Sequence, residues 1–166
     1  MRRLILMRHA KSSWADPGQR DLDRPLNKRG RRAVTLIGRW MKKKGYHPDQ
    51  ALVSGARRTR ESWDGLVAEA GPAETRNLPE LYHAGPDTLL EVVRRAADVP
   101  CVLVLGHQPG IGAFAERLLA EPPAGADFAK FPTGATAVID LDAAGWPDLA
   151  WGTGRLVDFV VPRALE

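Results

Sequence analysis

The chain has 166 residues, with 24 Lys and Arg against 20 Asp and Glu, a net charge of +4, 44% hydrophobic and 27% charged residues. Those proportions suit one globular domain spanning 1–166 and exclude disordered, low-complexity and membrane-spanning chains, since no apolar run reaches transmembrane length. One cysteine, Cys101, excludes a disulfide framework and a cysteine-rich metal site, and its simplest role is a buried structural thiol.

The opening MRRLILMRHA has the basic start of a secretion signal, but only Leu4 to Met7 precede Arg8, fewer apolar residues than such a signal needs. A cytoplasmic protein is expected. Leu4 to Met7 reads instead as a buried central strand. A helix is predicted over Lys28–Lys44, with Asn27 as N-cap, Gly45 as the C-terminal stop, and Ala33, Leu36, Ile37, Trp40 and Met41 inward. Basic residues cluster between positions 20 and 60 and favour anions, although most of those in the helix read as a solvated face.

Ala51 to Val53 is a short strand ending at Ser54, followed by a helix with Thr59, Trp63, Leu66, Val67 and Ala70 inward, closed by Gly71-Pro72. Thr75 to Leu78 has no clear pattern. Thr88 and Glu91 have capping-box spacing ahead of a third helix, with Leu89, Val92, Val93, Ala96 and Ala97 inward. Cys101 to Leu105 is the next strand, and a fourth helix follows Pro109 with Ile111, Phe114, Ala115, Leu118 and Leu119 inward. The helices are expected to end there. Ala135 to Leu141 and Leu156 to Val161 read as an antiparallel edge pair joined through Gly145-Trp146-Pro147. The alternation implies an α/β fold, a three-layer α/β/α sandwich with a mixed, mainly parallel sheet.

Three strand-to-helix junctions carry polar residues: Arg8 and His9 after the first strand, Arg58 in the helix after Ser54, and His107 after the fourth run. A parallel core brings such junctions to one edge, where α/β sheets bind ligands. Two guanidiniums match phosphate oxygens as planar forks, and helix starts add backbone amides. Neighbouring arginine charge also keeps His9 neutral and nucleophilic, and it stabilises a phosphoryl group in flight. The pattern points to phosphoryl transfer.

LILMRHAKSSW, SGARRTRES, LPELYHAG and LGHQPGI, in that order, closely resemble the histidine phosphatase superfamily, which has the phosphoglycerate mutase-like fold. The compact SixA-type phosphohistidine phosphatases are the most similar group, and DLDRPLNKRGRR resembles the segment leading into that family's first helix. The resemblance implies that His9 is the nucleophile, that Arg8 and Arg58 grip the phosphoryl oxygens, and that His107 donates a hydrogen bond to the group. It places Ser12 against phosphate or in the loop's support. Arg58 is the family's SxxxR arginine, an exposed helix-start residue with little packing role, while Arg57 and Arg60 are surface charges.

Glu80 matches the superfamily's general acid, with Asp87 as a substitute that could equally cap the following helix. The chain lacks room for a long insertion over the pocket, so a shallow site open to a phosphorylated side chain is expected. A labile P–N bond also makes a strong acid less necessary. His47 reads as structural, and His83 and Trp14 are candidates for the pocket rim. No metal and no cofactor are expected, since HExxH, paired CxxC, GxGxxG and GK[ST] are absent.

The resulting expectation is a metal-independent, monomeric phosphatase acting on protein phosphohistidine through a covalent His9 intermediate, with no nucleic-acid or membrane partner. A phosphomonoesterase acting on a small metabolite or nucleotide is the first alternative. A non-catalytic phosphate- or RNA-binding module is the second, and the paired His9 and His107 argue against it.

Overall fold

Apolar runs without alternation arise when a strand is buried on both faces, and the computed structural model, which describes residues 1–166, shows this directly. The strands are β1 (Arg2–Arg8), β2 (Gln50–Ser54), β3 (Glu74–Leu78), β4 (Cys101–Gly106), β5 (Thr136–Leu141) and β6 (Gly154–Val160). In β1, Leu4 and Leu6 enter one core while Ile5 and Met7 enter the other. Val102 and Val104 likewise face away from Leu103 and Leu105 in β4. All six strands form one sheet in the order β3-β2-β4-β1-β5-β6, in which β5 alone runs opposite to the rest, so its pairings with β1 and β6 are antiparallel and the others parallel. Each face carries its own apolar cluster, so the sandwich has three layers.

The helices are α1 (Lys28–Lys44), α2 (Arg57–Ala70), α3 (Pro86–Arg94), α4 (Gly110–Leu118) and α5 (Ala126–Lys130). Passing from β1 to β2 to β3 moves the chain one way across the sheet, and the return to β4 reverses it. Right-handed crossovers therefore put α1 and α2 on one face and α3 on the other. The cores agree: Ile37 and Leu66 join one cluster, while Leu89, Val93 and Phe114 join the second. No helix is long and apolar enough to cross a membrane.

Asn27 caps α1 by accepting from the Gly30 amide at 2.8 Å, and Gly45 ends it in the left-handed conformation with φ 75°. Both expectations hold. The buried face of α1 is rotated, however, because the helix leans on α2 as well as on the sheet. Val34 is buried against Gly65, and Ala33 and Leu36 are only half-buried.

Further differences from the sequence reading have local reasons. α3 begins at Pro86, two residues before the supposed capping box, after extended Gly85, because Pro86 already has the φ of a first helical turn. Asp87 therefore lies inside the first turn, where it pairs with Arg117 at 3.6 Å, and caps nothing. α5 lies beyond the point where the helices were expected to end, too short for periodicity to reveal. β3 is an edge strand with mostly exposed residues, hence its lack of an apolar pattern.

Two glycines let the helix starts abut the loops that bear the site. A Cβ on Gly30 would collide with the Lys11 carbonyl, and one on Gly110 with the Ala84 carbonyl. Since both obstacles are backbone, neither can swing aside. Gly110→Ala is expected to cost about 1–3 kcal/mol through overpacking, read from the midpoint of a urea titration. An unchanged midpoint would show that the 84–85 loop yields freely.

Candidate active site

Parallel register aligns the ends of three strands. Met7 pairs with Leu105 and Val53 pairs with the same Leu105, so Arg8, Ser54 and Gly106 emerge side by side at one sheet edge. His9 follows Arg8, and His107 follows Gly106. Arg58 is delivered from the first turn of α2, whose Ser62 hydroxyl accepts the Ala10 amide at 3.0 Å and ties that helix to the loop after β1.

Arg8, His9, Ser12, Arg58 and His107 converge on one cavity of about 380 Å³. Two of their neighbours there, His83 and Trp14, were rim candidates in the sequence; His47 is elsewhere. Arg57 and Arg60 point outward, and Arg57 pairs with Glu61 at 2.8 Å. Glu80 does not reach the cavity. It sits on the exposed turn Pro79–Leu81 with its carboxylate 3.9 Å from Arg95, because that turn presents Leu81 to the core and turns Glu80 to the outside.

Arg58 corrects another expectation: it is only 2% exposed. Its guanidinium folds over the pocket, donating to the Asp21 carbonyl at 2.8 Å and to the Asp21 carboxylate at 3.0 Å. Asp21 also accepts a hydrogen bond from the Tyr82 hydroxyl and one from Arg24 Nε at 3.0 Å. Arg24 in turn donates to Ser12 Oγ at 2.7 Å, so the Ser12 hydroxyl braces a second buried cation in the pocket wall. Asp21, Arg24 and Tyr82 were not singled out from sequence. Only the general likeness of DLDRPLNKRGRR to a family segment pointed at the first two, for Asp21 meets Arg58 and Tyr82 across gaps of 37 and 61 residues.

The imidazoles have definite proton arrangements. His9 Nδ1 lies 2.7 Å from the Ala10 carbonyl, an acceptor only, so Nδ1 bears the hydrogen and Nε2 keeps its lone pair. His107 Nδ1 faces Arg58 Nη2 at 3.4 Å and must accept there, which leaves Nε2–H donating to Ser54 Oγ at 2.7 Å. At rest, then, His107 offers the cavity an acceptor.

Burial is the main cause of both histidines' neutrality. It holds His9 down to about 4, with Arg58, Arg8 and Arg24 adding to the effect and the Ala10 hydrogen bond opposing it. Burial, then the charge of His9 and of Arg58, lowers His107 to about 3. Arginine charge alone, the cause expected from sequence, is secondary. Burial and Arg58 also lower the Arg8 guanidinium. Burial pushes the Asp21 carboxyl upward, but hydrogen bonds from Tyr82 and Arg24 and the Arg58 charge outweigh it, so Asp21 stays ionised.

Cations outnumber anions here: Arg8, Lys11, Arg24 and Arg58 face the cavity with Asp21 as the sole carboxylate. The Nε atoms of Arg8 and Arg58 are buried without a hydrogen-bond partner. A desolvated guanidinium pair with unmet donors is an anion site, and planar forks on either side suit a tetrahedral oxyanion.

A sequence model described as histidine phosphatase superfamily (branch 1) matches residues 4–84. An uncharacterized protein of Mycobacterium tuberculosis is 39% identical over 95% of this chain and 100% of its own length. Among solved structures, a protein of Nakamurella multipartitia provisionally described as phosphohistidine phosphatase SixA superposes with TM-score 0.83 at 35% identity, covering 97% of this chain and 96% of that one. A similarly described Agrobacterium tumefaciens protein gives 0.82 at 31% identity, with 97% and 98% covered.

Two buried neutral histidines tie stability to pH. Between pH 6.5 and about 4 the unfolded chain binds a proton at each histidine that the folded chain refuses, so stability falls as pH falls. Each contributes about 1.4 kcal/mol per pH unit in that window. His9→Gln is expected to remove one such slope between pH 6 and 4.5, read from urea midpoints at each pH. An unaltered slope would mean that His9 protonates as freely folded as unfolded.

Proposed function

Because the chain belongs to the histidine phosphatase superfamily, as one of its SixA-type members, we propose that it hydrolyses phosphohistidine on proteins through a phosphoryl group carried transiently on His9. The observation that carries this reading is His9 itself. Its Nδ1–H is committed to the Ala10 carbonyl, which leaves Nε2 as a neutral nucleophile at the floor of an arginine-walled cavity.

Arg8 and Arg58 take the phosphoryl oxygens, and Arg24 adds charge from the wall, steadied by Ser12. Once those oxygens occupy the Arg58 donors, the long Arg58–His107 contact is given up. His107 then changes tautomer by exchange with solvent, giving up its Nε2 proton and gaining one on Nδ1, so that the Ser54 hydroxyl turns to donate to the bared Nε2 and the new Nδ1–H points at the phosphoryl group. Donors fixed around developing charge supply the main catalytic effect. His9 Nε2 attacks phosphorus as the bond to the leaving nitrogen breaks, and water later releases inorganic phosphate and restores His9.

The leaving-group side favours P–N chemistry, since the exposed Glu80 stands away from the cavity and no protonated carboxyl lines it. Half-exposed Asp21 and exposed Trp14 and His83 leave the mouth open to a side chain presented by another protein. We take residues 1–166 as one catalytic domain, acting as a cytoplasmic monomer without metal or cofactor, and the buried unpaired Cys101 thiol accords with a reducing compartment.

Incubation with a protein labelled with ³²P on histidine is expected to give an acid-labile, base-stable phosphoenzyme, absent in His9→Ala, whose turnover should drop at least roughly 10³-fold. Vanadate should compete with substrate, and a chelator should change nothing. Faster turnover of one small phosphate ester than of any phosphohistidine protein would overturn the choice of substrate.

Arg58→Ala is expected to lower kcat/KM by roughly 10²–10³-fold, as for the loss of one oxyanion donor. A loss below tenfold, in an assay on the same labelled protein, would remove Arg58 from phosphate binding.

A further inference from the structure

An ionised carboxylate in a phosphate pocket works against anion binding, and Asp21 is such a group. It opposes the charge of Arg8, Lys11, Arg24 and Arg58 within the same cavity. Its place relative to the nucleophile is informative. His9 is 6% exposed at the floor, whereas the Asp21 side chain is 40% exposed and the Trp14 beside the cavity 76% exposed. In-line transfer to a floor nucleophile sends the leaving group toward the mouth, and that is where Asp21 stands.

Its acceptor capacity is only partly used. Oδ2 takes Arg58 Nη2 and the Tyr82 hydroxyl, and His83 Nε2 lies 3.6 Å from it. Oδ1 takes Arg24 Nε alone, at 3.0 Å. A carboxylate oxygen accepts about two hydrogen bonds, so Oδ1 has one to spare. Trp14 completes the surroundings: the Arg24 guanidinium covers one face of its indole at 3.5 Å, and the residue is otherwise open to a flat ring.

We propose that Asp21 is the leaving-group subsite for a cationic imidazole, accepting a hydrogen bond from the protonated distal nitrogen of the substrate's phosphohistidine ring and thereby selecting P–N over P–O substrates. The inference rests on the phosphohistidine reading above. In an unprotonated phosphohistidine ring one nitrogen holds phosphorus and the other a bare lone pair, so departure would leave an anion. A proton taken from solvent onto the distal nitrogen removes that obstacle, and a neighbouring carboxylate favours the charged ring. The His9 Nε2 lone pair then forms the new P–N bond. The electron pair of the old bond returns to the departing ring, cancels its charge, and leaves neutral imidazole with the proton still on the distal nitrogen. An ester would need a proton on its bridging oxygen, which an ionised carboxylate cannot supply.

The test compares wild type and Asp21→Asn on a protein phosphorylated on histidine with phosphoramidate and on an aryl phosphate, across pH. The amide keeps the size, and the backbone carbonyl of residue 21 still accepts from Arg58 Nη1, but the single side-chain oxygen accepts from Arg24 Nε or Arg58 Nη2 and not from both, so the ratio between the two substrates, rather than either rate alone, carries the test. We expect the ratio of kcat on phosphohistidine to kcat on aryl phosphate to fall about tenfold or more, and the alkaline limb of kcat on phosphohistidine to move about one unit toward acid. Asp21→Glu, which retains the charge, should recover most of the ratio. If the asparagine variant does not fold, Asp21→Ser at the same half-exposed position serves the comparison. Equal losses on both substrates with an unmoved limb would reduce Asp21 to a brace for Arg24 and Arg58 and end the proposal. Wild type that cleaves aryl phosphate but no phosphohistidine would instead sink the phosphohistidine reading, and this inference with it.

Discussion

A nucleophilic imidazole must be neutral, yet the cations that hold its substrate must lie within a few ångströms of it. This chain meets both demands by burying His9 at the end of a central strand. Desolvation penalises the protonated ring, and Arg8, Arg58 and Arg24 penalise it further, so the conditions that gather a phosphate also keep the nucleophile ready. The Ala10 carbonyl settles which nitrogen faces the cavity.

That concentration of positive charge would be unstable without a counterweight, and Asp21 provides one. Buried, unpaired charge is expensive, and Arg58 is nearly fully buried. A carboxylate at the mouth offsets part of that cost, fixes the guanidinium's direction, and links α2 through Tyr82 to the turn after β3. Arg8 has no comparable carboxylate: its guanidinium donates to the Phe131 carbonyl at 3.3 Å. The site is thus asymmetric, with one guanidinium braced by an anion and the other more dependent on the incoming phosphoryl group. The same asymmetry distinguishes a floor suited to phosphate from a mouth suited to a cationic ring.

Compactness has a chemical consequence as well. The 9–27 segment between β1 and α1 lines the cavity with Lys11, Ser12, Trp14, Asp21 and Arg24, while α2, α3 and α4 join their strands through shorter connections, and exposed Trp14 and His83 leave the mouth open. Selection among substrates must then come from charge and hydrogen bonding at the mouth more than from enclosure, which is why one carboxylate there can matter.

Sequence alone determined the features that depend on neighbours along the chain. Leu4–Met7 and Cys101–Leu105 are apolar at every position because both faces are covered, so central strands, the α/β class and the location of Arg8, His9 and His107 were legible. Asn27 and Gly45 marked α1 because capping is local. Only the tertiary structure decided what depends on contacts between remote segments. The rotation of α1 follows from its contact with α2 at Gly65; Glu80 turns outward because Leu81 takes the core side; Arg58 is buried because Asp21 and Tyr82 close over it. A carboxylate such as Asp21, flanked by Arg20 and Asp23, looks like any solvated loop charge until the fold sets it against a guanidinium 37 residues away. Periodicity records burial, whereas a charge's partner is chosen in three dimensions.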